Sequence, residues 1–369
     1  MIGKRFICLL FVFSLTLSIS VGLASGEPKP MGFAAPFPDL RFQQVLSKED
    51  QVYLGIPRKT NFSFKEIRGS LIVVELITVY CATCEVQAPI LNEAYSRIEK
   101  DPDLKGKVKI IGIAAGNNQK EVETFKNQQK IPYPLFTDSK FDHHSALGSP
   151  RAPFTIWAKR DSRGKWIVIS THLGAIDSVE TALEETRAVF QYDLSLLKPK
   201  KGPIYVCDVL KPPLPEEEML LKVKGGMESS GGKVLQIEKL SLRGGDWIYA
   251  GKVDFGTYQG MLFSKLAMRR AVCDICHDTF FIFTFDPAGK VIEIVPIHLT
   301  KFQNLQWEEK DIQQLRSRVL GRSILGPFNF DPSVDSVSGA TITALLIFDC
   351  LDKAKDIYEK LKSEGYLKR

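Results

Sequence analysis

This chain of 369 residues lacks a strong net charge: 49 Lys and Arg stand against 43 Asp and Glu, a formal charge of +6. Proteins that bind nucleic acids concentrate positive charge on one face or along one segment, because they must neutralise backbone phosphates. The near balance of charges gives no such excess. We therefore expect no nucleic-acid partner.

The N-terminal region also lacks a cysteine where a lipid anchor would need one. Two cations, Lys4 and Arg5, precede an apolar run that ends near Val21, and the small-residue segment Gly22-Leu-Ala24 follows. This order is typical of a signal peptide over residues 1–24, and without a following cysteine it does not predict a lipoprotein. Three serines in the run favour cleavage over an uncleaved signal anchor. We expect an exported protein, in the periplasm or at the outer face of the cytoplasmic membrane.

Cysteine is sparse but arranged in pairs. Of the seven cysteines, Cys8 lies in the candidate signal peptide, four form two Cys-x-x-Cys pairs, and Cys207 and Cys350 stand alone. In an oxidising compartment, close pairs serve as structural disulfides, redox couples or cofactor attachments. Cys207 is either a free thiol or the partner of a distant cysteine, and the sequence leaves the pairing of Cys207 and Cys350 open.

The chain is long enough for two domains, since about 345 residues would remain after signal cleavage. Proline and like charges are concentrated in Lys198-Pro-Lys-Lys-Gly-Pro203 and in the segment from Lys211 to Glu218. Such composition is typical of a stiff, solvated connection. We therefore predict a first domain over residues 37–195, a linker over 196–215 and a second domain over 216–365.

The first Cys-x-x-Cys pair follows a buried strand. The apolar run Leu71-Ile-Val-Val-Glu-Leu-Ile77 leads into Cys81-Ala-Thr-Cys84, and a helical pattern containing Pro89 begins at once. A cysteine at a helix N-terminus has its thiolate stabilised, and a second cysteine one turn later can resolve a mixed disulfide. This spacing predicts Cys81 as the nucleophile and Cys84 as the resolving thiol. A permanent structural disulfide is the alternative.

The order of these elements, with Arg151-Ala-Pro153 before a late strand, resembles the exported thiol:disulfide oxidoreductases of the thioredoxin fold, in the TlpA and AhpC/TSA group. The resemblance covers about residues 37–195 and implies an α/β domain in which Pro153 is a cis proline facing the redox cysteines. It also implies that Glu75 is a buried acid, able to exchange a proton with Cys84. A purely structural acid is the alternative for Glu75.

Peroxide reduction is a minor alternative for this half. Thr78 lies three residues before Cys81, and Arg151 stands where the catalytic arginine of a peroxiredoxin-like peroxidase would come. This resemblance implies a peroxidase that uses the same nucleophile, Cys81.

The second half carries a motif for a covalent flavin. Its strand candidates Val234–Leu242, Trp247–Phe255 and Phe280–Phe285 precede Asp335-Ser-Val-Ser-Gly-Ala-Thr341. The motif resembles the acceptor sequence read by bacterial flavin transferase, in α+β FMN-binding domains of exported electron-transfer subunits. The resemblance implies FMN attached to Thr341, with Asp335, Ser338, Gly339 and Ala340 as the rest of the acceptor motif.

Local chemistry agrees with a phosphate near Thr341. Apolar residues recur at helical spacing after the motif, so Thr341 is predicted at a helix N-terminus, where unpaired N–H groups favour an anion. Gly339 lets a ligand approach the backbone. An ordinary helix capped by Ser338 or Thr341, without a ligand, is the alternative.

The second cysteine pair, Cys273-Asp-Ile-Cys276-His277, has the spacing of a c-type haem attachment site. A structural disulfide or a second dithiol couple is the stronger interpretation, and haem c is the weaker one. No second pair of ligands stands nearby, so we expect no metal site.

Together these features predict an exported redox enzyme, a thiol:disulfide oxidoreductase fused to an FMN electron-transfer domain. Its expected partners are exported redox proteins or membrane electron carriers, with a flavin transferase for maturation. One alternative is a non-enzymatic flavin or haem electron-transfer subunit whose thioredoxin-like half is a docking module. Another is a binding scaffold with inert disulfides.

Overall fold

The structure, a computed structural model, describes residues 31–56, 60–197 and 210–367. The candidate signal peptide, Cys207 and most of the predicted linker lie outside the described residues. Within those three ranges, no helix combines the length and the apolar character that a membrane crossing requires.

The first half is an α/β unit, as predicted. Its elements are β1 (Arg41–Gln43), α1 (Lys48–Leu54), β2 (Asn61–Ser63), β3 (Leu71–Ile77), α2 (Ala82–Lys100), β4 (Val108–Ala115), α3 (Gln119–Gln128), β5 (Leu135–Asp138), α4 (Asp142–Ala146), β6 (Phe154–Arg160), β7 (Trp166–Leu173) and α5 (Val179–Gln191). Five strands form a sheet in the order β5-β4-β3-β6-β7. β3 pairs in parallel with β4 and antiparallel with β6, so the strand that precedes the cysteines is the central one.

The continuous apolar runs explain this sheet. All seven residues of β3 and all eight of β4 are buried, which is typical of strands covered on both faces. The helix α2 begins at Ala82, directly after β3, and contains Pro89. The strand and helix that hold the first cysteine pair are thus anchored in the centre of the unit.

The second half is an antiparallel meander with helices on both faces. Its elements are α6 (Glu216–Glu228), β8 (Lys233–Ser241), β9 (Trp247–Asp254), β10 (Gln259–Arg269), β11 (Thr279–Phe285), β12 (Val291–His298), β13 (Thr300–Lys301), β14 (Leu305–Gln306), α7 (Glu309–Val319), α8 (Pro332–Asp335) and α9 (Thr341–Ser363). The strands β8 to β12 pair in sequential order. Alternate residues face opposite sides, so Tyr249 packs with α6 while its neighbour Ile248 packs with α9.

One element differs from the sequence prediction. The composition from Lys211 to Glu218 predicted a stiff, solvated connection, but Glu216, Glu217 and Glu218 form the first turn of α6. Negative charge is favourable at a helix N-terminus. Met219, Val223 and Met227 follow at four-residue spacing and are buried against the sheet.

The last helix joins the two halves. Ile342, Leu345 and Leu346 of α9 belong to the core of the first half, whereas Ile347 and Phe348 belong to the core of the second. Both cores are therefore packed against one helix. The predicted domain boundaries stay predictions, and the predicted linker falls mainly on residues that the structure does not describe.

Candidate active site

The first cysteine pair lies where the central strand passes into α2. Cys81 occupies the N-cap position of the helix, and Cys84 lies in its first turn. Both are free thiols with 1% and 0% of their surface exposed, respectively. The structure therefore does not show the alternative, a permanent disulfide between Cys81 and Cys84.

The two thiols differ in acidity. A hydrogen bond from the Cys84 thiol lowers the pKa of Cys81 against the opposing effect of burial, and backbone N–H groups at the start of α2 add to the effect. Burial raises the pKa of Cys84 well above that of an ordinary thiol. This asymmetry makes Cys81 the thiol that ionises first, and its role as the nucleophile stays a prediction.

The loop before β6 completes the immediate surroundings of Cys81. The peptide bond between Ala152 and Pro153 is cis, as the resemblance implied. The carbonyl oxygen of Ala152 lies 3.8 Å from Cys81 Sγ. The backbone before Pro153 is therefore in contact with the nucleophile.

Glu75 is buried in the middle of β3. Its two carboxylate oxygens accept hydrogen bonds of 2.9 Å from Gln87 Nε2 and from the Tyr133 hydroxyl. Burial raises the pKa of Glu75, and these two hydrogen bonds oppose that effect. The predicted proton exchange with Cys84 stays a prediction. Gln87 and Tyr133 were not predicted from the sequence, although a glutamine on the apolar face of a helix was a detectable signal.

The second cysteine pair forms a disulfide, Cys273–Cys276, and lies against the first. The Cys81 and Cys273 sulfur atoms and a carboxylate oxygen of Asp274 all lie within 4.8 Å of one another. In the sequence these two pairs lie in separate predicted domains, and no motif singled out Asp274. Because a disulfide sulfur is not a thiolate ligand, the three groups favour thiol exchange over metal binding.

Backbone pairing holds this contact in place. The Ala152 N–H donates to the Val272 carbonyl oxygen at 2.6 Å, and the Asp274 N–H donates to the Ala152 carbonyl oxygen at 2.9 Å. Ala152 and Cys273 thus form an isolated parallel bridge. The disulfide of the second half is presented to the cysteines of the first half by main-chain hydrogen bonds.

Arg151 contributes to the same interface. Its guanidinium donates to the Cys276 carbonyl oxygen at 3.3 Å and pairs with Asp278 at 3.4 Å. Thr78 is fully buried, and its hydroxyl has no hydrogen-bond partner among the described residues. The Arg151 side chain is therefore engaged by the second half, and the peroxidase alternative stays a prediction without further support.

The haem interpretation of Cys273-Asp-Ile-Cys276-His277 fits poorly. Thioether attachment requires both sulfur atoms, and here they are bonded to each other, with Cys273 only 1% exposed. Among the interpretations left open by the sequence, the structure favours the disulfide. No step is derived through haem.

The flavin motif lies at a cavity that also contacts the disulfide. Thr341 is the first residue of α9, and Ala340 precedes it without a side-chain cap. Gly339 has the positive φ of 72° that favours glycine. A cavity of about 320 Å³ is lined by Gly339, Ala340, Thr341, Cys273 and Cys276. The capping alternative involving Ser338 or Thr341 is not what the structure shows.

Asp335 has a different position from the rest of the motif. Its side chain is fully buried, accepts a hydrogen bond from Arg318 at 2.6 Å and accepts another from the Asp331 N–H at 2.8 Å. Asp335 is not among the residues that line the cavity. Its direct contacts therefore stabilise the segment before α9.

Comparison with known protein families supports the thioredoxin-like interpretation of the first half of the chain. Residues 44–174, which include Cys81, Cys84 and Pro153, match the AhpC/TSA family. Comparison with curated protein sequences gave no match.

Several solved structures are similar to parts of the chain. A secreted disulfide oxidoreductase from Mycobacterium tuberculosis, described as homologous to E. coli DsbE, is 16% identical over 35% of this chain and 88% of its own, with a TM-score of 0.29. StoA from Bacillus subtilis is 19% identical over 41% of this chain and 99% of its own, with a TM-score of 0.31. A putative thiol:disulfide interchange protein DsbE from Chlorobium tepidum is 16% identical over 44% of this chain and 99% of its own, with a TM-score of 0.33. The match of residues 44–174 to the AhpC/TSA family supports a thioredoxin-like domain in the first half of the chain.

Proposed function

We propose that the protein is a thiol:disulfide oxidoreductase with Cys81 as its nucleophile and Cys84 as its resolving thiol. The observation that carries the proposal is the placement of the two free thiols at the start of α2, beside the backbone of Ala152. A helix N-terminus and a neighbouring thiol both stabilise the attacking thiolate.

The exchange has two steps. The Cys81 thiolate forms a bond to one sulfur of a disulfide, and the other sulfur leaves as a thiolate and is protonated. Cys84 then loses its proton, bonds to Cys81 and releases the second substrate sulfur. Because burial raises the pKa of Cys84, this second step needs a base, and we assign that role to Glu75.

The experiment is a disulfide-reductase assay of the wild-type chain and of Cys81→Ser and Cys84→Ser variants, regenerated with a chemical dithiol. Turnover is expected in the wild type and a loss of at least 100-fold in Cys81→Ser. Cys84→Ser should instead accumulate a mixed disulfide at Cys81, visible by mass spectrometry. Unchanged turnover in Cys81→Ser would show that the catalytic thiol lies elsewhere.

We further propose FMN as a cofactor, attached through phosphate to Thr341. The support is the uncapped N-terminus of α9 beside a cavity whose volume lies at the lower end of ordinary small-molecule sites. Gly339, Ala340 and Thr341 would hold the phosphate, while Lys301 on the same cavity already pairs with Asp311 at 2.6 Å. A bound flavin would supply conversion of electron pairs into single-electron steps.

The flavin proposal is tested by intact mass under denaturing conditions. The chain would be exported in a host that has both flavin-transferase and haem-attachment machinery. The mass of one FMN is expected in the wild type and in Thr343→Ala, and it should vanish in Thr341→Ala. A bare polypeptide in the wild type would remove FMN from the proposal and leave the thiol chemistry in place.

The rival function is a non-enzymatic electron-transfer subunit in which the thioredoxin-like half only docks partners. The rival predicts unchanged electron transfer in the Cys81→Ser/Cys84→Ser double variant. We expect that variant to lose exchange activity. Export is also part of the proposal, with exported redox proteins or membrane carriers as partners, and N-terminal sequencing of secreted protein should show cleavage after residue 24.

A further inference from the structure

The Cys273–Cys276 disulfide occupies the place where an external disulfide would have to meet Cys81. Cys81 is 1% exposed and Cys84 is fully buried, while the segment that contains Cys273 is hydrogen-bonded to Ala152 on both sides of that cysteine. A partner protein cannot reach the Cys81 sulfur in this arrangement. The sulfur that is in reach is Cys273, within 4.8 Å.

We propose that the two cysteine pairs form an internal relay, in which Cys81 and Cys84 exchange electrons with the Cys273–Cys276 disulfide of the same chain. The proposal rests on the proposed thiol:disulfide exchange and names the substrate of that site. A disulfide bond is about 2 Å long, so the Cys81 and Cys273 sulfurs need to approach by no more than about 3 Å.

The chemistry balances from the state that the structure shows. The Cys81 thiolate bonds to Cys273, the Cys273–Cys276 bond breaks, and Cys276 leaves as a thiolate that takes up a proton. Cys84, deprotonated, then bonds to Cys81 and releases Cys273, which is protonated in turn. Two electrons and two protons pass from Cys81 and Cys84, which end as a disulfide, to Cys273 and Cys276, which end as thiols.

Asp274 is placed to take part in the first proton movement. Its Oδ1 atom lies 3.9 Å from the Cys81 sulfur, so the carboxylate can accept the thiol proton before the attack. The transfer leaves Asp274 as a neutral carboxylic acid, so the carboxyl group no longer repels the Cys81 thiolate that attacks Cys273. Asp274 acts on Cys81 within the chain, and no external base is needed at this buried position.

The outer end of the relay is open to partners. Cys276 is partly exposed and lines the cavity of about 320 Å³, together with Ile275, whose side chain is 42% exposed. An external thiol or disulfide can therefore react at Cys276 without moving the segment away from Ala152. The buried pair thus communicates with partners through the second pair.

The test is a trapping experiment on the full chain in a glutathione redox buffer. The Cys84→Ser/Cys276→Ser variant keeps Cys81 and Cys273, and we expect a Cys81–Cys273 disulfide as the dominant product in peptide mapping. The matched control, Cys84→Ser/Cys273→Ser, keeps Cys81 and Cys276 and should give at least 10-fold less cross-link. Equal yields, or glutathione adducts alone in both variants, would overturn the relay.

A second measurement uses the unmutated cysteines and is not affected by misfolding of a variant. Fully reduced wild-type protein receives one equivalent of an oxidant, and the location of the disulfide is followed over time. The relay predicts transfer between the two pairs at a rate independent of protein concentration. Disulfides that stay where they first form, or a rate proportional to concentration, would contradict it.

Turnover of an external disulfide separates the relay from the function on which it rests. The turnover of the Cys273→Ser/Cys276→Ser variant is expected to be at least 10-fold lower than that of the wild type. If that variant keeps or exceeds the wild-type turnover, the segment is only a removable cover, and the relay is wrong while the proposed function stands. If the wild type itself shows no turnover at Cys81, the proposed function fails.

Discussion

The Tyr133 hydroxyl donates a hydrogen bond of 2.9 Å to Glu75, an acid buried in the central strand β3. Gln87 Nε2 donates to the other carboxylate oxygen, at 2.9 Å. These donors hold a carboxylate in a place where burial raises its pKa. The two hydrogen bonds thus offset part of the free-energy cost of a negative charge on Glu75 in the apolar core.

Replacing Glu75 by Gln should slow the resolving step by roughly 100-fold, because the amide cannot take the proton of Cys84. The rate of mixed-disulfide decay, followed by rapid acid quenching, measures this step. Attack by Cys81 in the first step should keep its rate. Equal decay rates in the wild type and Glu75→Gln would make Glu75 a structural acid.

The same Glu75→Gln substitution should change stability in a pH-dependent way. A carboxyl whose folded pKa is raised contributes stability that is present below its unfolded pKa, near 4.5, and is lost as pH rises through the folded value. We therefore expect Glu75→Gln to be more stable than the wild type at neutral pH, with the difference shrinking on acidification. Urea unfolding of both proteins at neutral and at acidic pH measures this difference in stability. A difference that does not vary with pH would contradict the prediction.

The acidity of Cys81 should depend on the hydrogen bond from its neighbour, since that bond is the largest cause of its lowered pKa. Cys84→Ala removes the donor, whereas Cys84→Ser keeps one. We expect the ionisation of Cys81, followed by ultraviolet thiolate absorbance, to occur at higher pH in Cys84→Ala than in Cys84→Ser. Identical titration curves would assign the lowered pKa to the helix N-terminus instead.

Local sequence patterns were sufficient to predict the helix α2 and the strand β3 that precedes it. The apolar run before Cys81 and the helical spacing after Cys84 concern neighbouring residues, and the structure places β3 and α2 accordingly. The helix that follows Thr341 was predicted for the same reason, and it spans Thr341–Ser363. Short-range periodicity carries this kind of information.

The contact between the two cysteine pairs could not be predicted in this way. Cys81 and Asp274 are 193 positions apart, and no periodicity links them. The contact depends on how the loop before Pro153 pairs with the segment that contains Cys273, which is a property of tertiary packing. Motif reasoning assigned each pair to its own domain and so missed the site that they form together.

Acidification should destabilise the protein through His144. Burial lowers its pKa to about 4, whereas an unfolded histidine titrates near 6.5, so the unfolded chain binds more protons as pH falls through this window. Stability should therefore decrease by about 2 kcal/mol between neutral pH and about pH 5. Urea unfolding of wild type and His144→Gln measures this, and the variant should lose that part of the pH dependence. An unchanged slope would mean that other groups cause the acid sensitivity.

The segment before α9 should depend on Asp335 for stability and on Thr341 for flavin. Asp335→Asn weakens the hydrogen bond from Arg318 and places an amide group where the Asp331 N–H needs an acceptor, so we expect a loss of about 2 kcal/mol in the free energy of unfolding. Thr341→Ala, at a half-buried position, should change it by less than about 0.5 kcal/mol. Urea unfolding of the flavin-free chains makes the comparison. If Asp335→Asn were as stable as the wild type, the ion pair between the partly exposed Arg318 and the buried Asp335 would contribute no stability, and the place of Asp335 in the motif would have to be explained by recognition during flavin attachment.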